Sequence, residues 1–206
     1  MPKTSNKGKK TKGRKAAGLK GMRSRLSSRA NGASRQAAKK GNQTSPNQSA
    51  SLQDKALREH LLNLLRARGA HIDFNDAMAD WPAQLAGAKV ANFPHTAWML
   101  LEHMRIAQWD ILEFSRNPKH KSPKWPDEYW PASESPATER DWTASIAAFK
   151  KDLRAFERLI SDRKSNLYEK FPWGDGQTIL REALLVADHN AYHLGQLVML
   201  RKCMGI

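Results

Sequence analysis

Only one cysteine, Cys203, occurs among the 206 residues. That excludes an internal disulfide and any cysteine-built zinc knuckle, and it fits a reducing compartment. Long apolar runs are also missing. The longest are segments such as Ala183 to Ala187, far short of the roughly 18 residues of a membrane span. The basic N-terminus lacks the apolar stretch of a secretory signal, so a cytoplasmic protein with no membrane partner is expected. No segment alternates apolar and polar residues as a half-buried strand does, and no internal repeat is evident. Acidic residues are absent from residues 1–50, and so are Trp, Tyr, Phe, Ile and Val.

What that stretch does hold is 14 Lys and Arg, which account for nearly all of the formal net charge of +15. Without bulky apolar residues it cannot offset its chain entropy by burial, so a disordered, basic, low-complexity tail is expected over residues 1–50. Three readings stand for it. One is a solvated tail. Another is an arm that makes weak, non-specific contact with nucleic-acid phosphates, since it has no aromatics for base stacking. The third is contact with a membrane surface or an acidic partner. Residues 51–206 are nearly neutral, with 21 basic and 20 acidic side chains, and they carry all 7 Trp and all 6 Phe. That is the size and composition of one domain with a real core.

Four helices are legible in it. Ser51 can cap a first helix in which Leu52, Ala56, Leu57, Leu61, Leu64, Leu65 and Arg68 follow at helical spacing, with Gly69 as the stop. A second runs from His95 or Thr96 to about Arg116, ended by Asn117-Pro118. Five prolines over residues 117–137 forbid a helix there. The aromatics Trp125, Tyr129 and Trp130 within that segment imply a loop that packs on the body, either as a lid over helix surface or as a wall of a substrate cleft. A third helix spans about Thr138 to Ser161, with Ile146, Phe149, Leu153, Phe156 and Ile160 on one stripe. The last runs from Gln177 or Thr178 to about Lys202. The fold class is therefore all-α, a four-helix bundle.

The last helix contains His189 and His193, four residues apart and so on one face one turn apart. Val186, Leu197 and Leu200 share nearly the same stripe, which turns the pair inward. Neither histidine has an acidic residue at i+3 or i+4, while a buried histidine needs a partner. A metal ion satisfies both. On the second helix His103 shares a face with Leu100, Ala107, Asp110 and Phe114, so it is a candidate third ligand. Three neutral imidazoles leave open coordination positions and leave the ion its full charge, as in metal sites that acidify a water or thiol. The bland alternative is three core histidines bonded to Asp or Gln neighbours. A zinc peptidase is excluded, because Asn190 stands where its Glu would follow the first His. Asp110, Asp188, Gln108 and Gln196 are candidates to orient ligands, or else ordinary helix and capping groups. Tyr192 reads as core packing, Cys203 as a small end-of-helix residue, and His60, His71, His95 and His120 as surface or loop histidines.

The stretch from Arg181-Glu182-Ala183 through Asp188-His189-Asn190-Ala191-Tyr192-His193-Leu194-Gly195-Gln196, with Leu101-Glu102-His103-Met104-Arg105-Ile106-Ala107-Gln108, resembles the closing and second helices of the DinB-like (YfiT-like) metal-dependent four-helix bundles. The resemblance covers roughly residues 52–203. It implies a triad of His103, His189 and His193 holding a divalent ion, Zn or Ni, and it implies nothing about the tail. Members include thiol-S-transferases that use a low-molecular-weight thiol, so the expected function is a metal-dependent thiol transferase or hydrolase acting on a small electrophile. The alternative is a non-catalytic, stress-related metal-binding protein whose tail associates with nucleic acid. Relatives in that family often dimerise, which makes a homodimer a candidate assembly.

Overall fold

The computed structural model describes residues 45–67 and 69–206. The expected tail, up to residue 44, and Arg68 of the first predicted helix lie outside the described residues.

Among the described residues there are five α-helices. They are α1 (Pro46–Leu65), α2 (Phe74–Met78), α3 (Ala97–Arg116), α4 (Glu139–Ser161) and α5 (Ile179–Met204). Among the described residues there is no strand, only a bridge pair between Lys170 and Thr178. Each helix begins where a hydroxyl or carboxylate accepts an orphan backbone N–H. Ser45, Asp73, Thr96, Thr138 and Thr178 bond the amides of Gln48, Asp76, Met99, Asp141 and Arg181. Such a cap contributes about 1 kcal/mol. The expected cap at Ser51 is therefore six residues late. Ser45 caps, Gln48 closes the capping box, and Pro46 takes the first turn, where its missing N–H costs nothing. Residues 45–50, expected in the tail, belong to this helix cap and first turn. Gly69, at φ +98, lies beyond the last helical residue rather than at it.

α1 buries only part of the expected apolar set. Leu61 and Leu65 are buried, whereas Leu52 and Leu64 are exposed. Arg58, three residues before Leu61, shares the buried face. Its guanidinium is buried and donates to the carbonyls of Ile160 (2.6 Å), Asp162 (3.0 Å) and Ser165 (2.8 Å), while Asp54 accepts from its Nε. This fixes α1 against the end of α4 and the turn beyond it.

α3 packs on both α4 and α5, and α1 lies against the same two helices. One apolar cluster gathers Phe74, Trp81, Met104, Trp142, Phe149, Leu197 and Leu200. The other gathers Leu61, Leu112, Phe156, Ile160, Leu167 and Val186. α2, which the sequence pattern did not announce, supplies Phe74, stacked on Phe149 at 4.1 Å. The proline-rich segment 117–137 contains no α-helix, only one 3-10 turn at Asp127–Tyr129. Along α5 the inward positions Val186 and Leu197 bracket His189 and His193, so the two histidines sit where the clusters meet.

Candidate metal centre

Helix spacing places His189 and His193 on the side of α5 that faces α3, and His103 meets them from α3. His103 and His193 are buried, and His189 is partly buried. One ring nitrogen from each lies within 4.8 Å of the other two. His103 Nε2 and His189 Nε2 are 3.1 Å apart.

The partners of the remaining nitrogens fix which ones are free. His103 Nδ1 lies 2.9 Å from the carbonyl oxygen of Tyr129. A carbonyl only accepts, so Nδ1 carries the proton and Nε2 keeps its lone pair. His193 Nδ1 donates to Gln196 Oε1 at 2.7 Å, which leaves its Nε2 bare too. Burial pushes the pKa of all three histidines down. For His189 burial and the neighbouring His193 and His103 lower it to about 4. The cluster is thus a set of neutral imidazoles, the form that binds metal. Two imidazole nitrogens on one tetrahedral ion at roughly 2.0–2.1 Å stand about 3.3 Å apart, close to the separation seen here. The residues present fit a divalent ion.

The Pro-rich loop reaches the centre through two consecutive residues. Tyr129 gives its carbonyl to His103, and the Trp130 indole lies against the His103 ring, centroids 4.0 Å apart. The expected packing of this loop on the body is seen for these two, while Trp125 is exposed. Asp110 anchors the loop. One carboxylate oxygen accepts from the Tyr129 hydroxyl and the other pairs with His120 Nε2, both at 2.7 Å. Burial and this carboxylate push the Tyr129 hydroxyl pKa up.

The four candidate orienting residues separate clearly. Gln196 holds His193. Asp110 acts one step removed, through Tyr129. Gln108 is buried, bonded to Phe149 O and Asn190. Asp188 is exposed. One expectation is corrected, and two loop histidines pack more closely than expected. Tyr192 is 65% exposed, its ring centroid 4.8 Å from that of His193, and does not pack in the core. His120 lies in a loop, as expected, with its side chain only 7% exposed against Asp110. His95 stacks on Trp130 at 4.3 Å, and its buried Nδ1 has no partner. His71 is exposed, as expected, and Cys203 lies near the end of α5, as expected, where it is exposed.

A cavity of about 250 Å³ lies between α1, α2, α4 and α5, lined by Phe149, Leu153, Asn190 and Leu194 among others, but by none of the three histidines. No helix among the described residues is long and apolar enough to cross a membrane. No protein-family model matches this chain, and neither does any curated protein or solved structure.

Proposed function

We propose that this protein is a metal-dependent enzyme of the DinB-like four-helix-bundle type, with His103, His189 and His193 as the ligands of one divalent ion. Its reaction is transfer of a thiol to a small electrophile, or hydrolysis at the same centre. The observation that carries the reading is the convergence of three neutral imidazoles, two of them locked by Tyr129 O and Gln196 into the tautomer with Nε2 free. On this reading the four long helices α1, α3, α4 and α5 make up the bundle, and His103 with the His189/His193 pair fill the ligand positions that the resemblance implies.

A divalent ion held by neutral ligands supplies Lewis acidity and makes a thiol or a water a nucleophile near neutral pH. The chain's own part is to hold the imidazoles in place and to shape access. Asp110 ties down Tyr129, Tyr129 orients His103, and Trp130 covers one face of that ring. Tyr192 stands exposed at the edge of His193, where a guest would enter.

The test is zinc and nickel content and affinity of the full chain beside His193→Ala. The reading expects one ion per chain and loss of more than about a hundredfold in affinity in the variant, beyond the 10–100-fold that outer partners cost. Equal metal in both sinks it. Consumption of a panel of electrophiles with several low-molecular-weight thiols then separates turnover from binding alone. An ion without turnover favours the non-catalytic reading.

A further inference from the structure

Asn190 Oδ1 is a buried acceptor with no hydrogen-bond partner, on a residue 9% exposed. Its orientation is not arbitrary. Phe149 O can only accept, so Gln108 turns its Nε2 toward it, at 2.8 Å. Gln108 Oε1 then faces Asn190 and takes the Asn190 Nδ2 proton, also at 2.8 Å. The backbone carbonyl of α4 thus dictates both amides, and Oδ1 is left over. An orphaned acceptor in the interior costs about 1–3 kcal/mol and calls for an explanation.

The neighbouring histidine supplies one. His103 Nε2 is bare, because its proton is on Nδ1 toward Tyr129. The 3.1 Å contact from His189 Nε2 to that nitrogen is therefore a hydrogen bond only if His189 carries its proton on Nε2. His189 Nδ1 is then bare and has nothing to give to Asn190. We infer that His189 changes tautomer when a cation enters the triad, and that Asn190 Oδ1 is the acceptor held ready for the Nδ1 proton of the bound form.

The inference rests on the three-histidine metal reading and deepens it. A cation on Nε2 displaces that proton to solvent, and Nδ1 takes one up, so the imidazole is neutral before and after. Each ligand then has an acceptor from a different source: Tyr129 O for His103, Gln196 Oε1 for His193 and Asn190 Oδ1 for His189. Acceptors at the far nitrogen are what fix ring orientation in metal-ligating histidines. Asn190 is a positioning residue on this account.

The experiment is long-range proton–nitrogen NMR of the full chain labelled at histidine nitrogen, without metal and with one equivalent of Zn²⁺. The metal-free protein should show His189 as the Nε2–H tautomer and His103 and His193 as Nδ1–H. With zinc all three should be Nδ1–H. Asn190→Ala should lower zinc affinity at least about tenfold and speed exchange of the His189 Nδ1 proton. Asn190→Asp, which when protonated keeps both the donor and the acceptor, should restore both. Failure to bind zinc at all overturns the metal reading and this inference together. Zinc bound with the His189 tautomer unchanged, or with Asn190→Ala indistinguishable from the parent, overturns this inference alone. Should Asn190→Ala not fold, the tautomer of the parent chain decides by itself.

Discussion

The His103 imidazole lies flat on the Trp130 indole, with 4.0 Å between ring centroids and 4° between planes. The two residues sit on different elements, one inside α3 and one at the end of the proline-rich loop. Their contact removes one face of the histidine from water and contributes to the burial that lowers its pKa.

Removing that cover should therefore act on titration. In the metal-free Trp130→Ala protein, the pKa of His103 should move upward toward the ordinary histidine value. Trp130→Phe should move it less. Proton NMR of the imidazole signals against pH measures this, and an unchanged His103 would mean that the indole does not shield it.

Asp110 should matter for the loop and, through it, for the metal. Asp110→Ala leaves the Tyr129 hydroxyl and His120 without their partner. It should cost about 1–3 kcal/mol in urea unfolding, the range for a broken buried polar contact. It should also lower zinc affinity, because the Tyr129 carbonyl loses its anchor. Tyr129→Phe keeps that carbonyl and the His120–Asp110 pair, so it should lose less of both.

Acid should destabilise the metal-free protein over a defined window. The folded pKa of His189 is about 4, against an ordinary 6.5. Between those values the unfolded chain binds the proton and the folded chain does not, so stability rises with pH there. The contribution is complete above pH 6.5 and is lost as pH falls toward 4. For His189 alone it is on the order of 3 kcal/mol. His103 and His193 act in the same direction. Urea midpoints between pH 7.5 and 4.5 measure it, and His189→Gln should flatten the curve. A parent curve already flat in that range would be incompatible with a neutral, buried cluster.

Arg58 should be a stability residue remote from the metal. Its guanidinium spans three carbonyls at the end of α4 and in the turn after it. Arg58→Met should cost about 2–3 kcal/mol, the upper range for hydrogen bonds to a charged group. Arg58→Lys should recover little, since an ammonium cannot present the same planar fork. Zinc affinity of the folded fraction should not change. Urea unfolding and a zinc titration together check both statements.

The histidine pair was readable because a four-residue step on a helix fixes which side chains share a face, and His103 followed from the same reasoning on α3. Helix ends at Thr96, Thr138 and Thr178 were readable because a capping hydroxyl sits where an apolar period begins. Gln196, one turn beyond His193, was readable as an orienting candidate in the same way, but the groups that pack around the histidines from the loops were not. Trp130, His95 and His120 come to their places across loops whose course no local period encodes. α5 shows a second limit. Leu184, Leu185 and Met199 are exposed there, so apolar residues occur on every side. Periodicity alone could not tell that Tyr192 faces outward. On α1 Leu61 and Leu65 face inward as their spacing indicated, but the buried Arg58 on that face, which hydropathy counts as surface, was not readable.

The group that sets the tautomer of His103 is main chain, and every residue type has it. Amino-acid identity at position 129 can drift without deleting that acceptor, provided the loop still takes the same course. Selection on this contact would then act on what steers the path, the bond between Asp110 and the Tyr129 hydroxyl foremost, and not on the carbonyl that makes the contact.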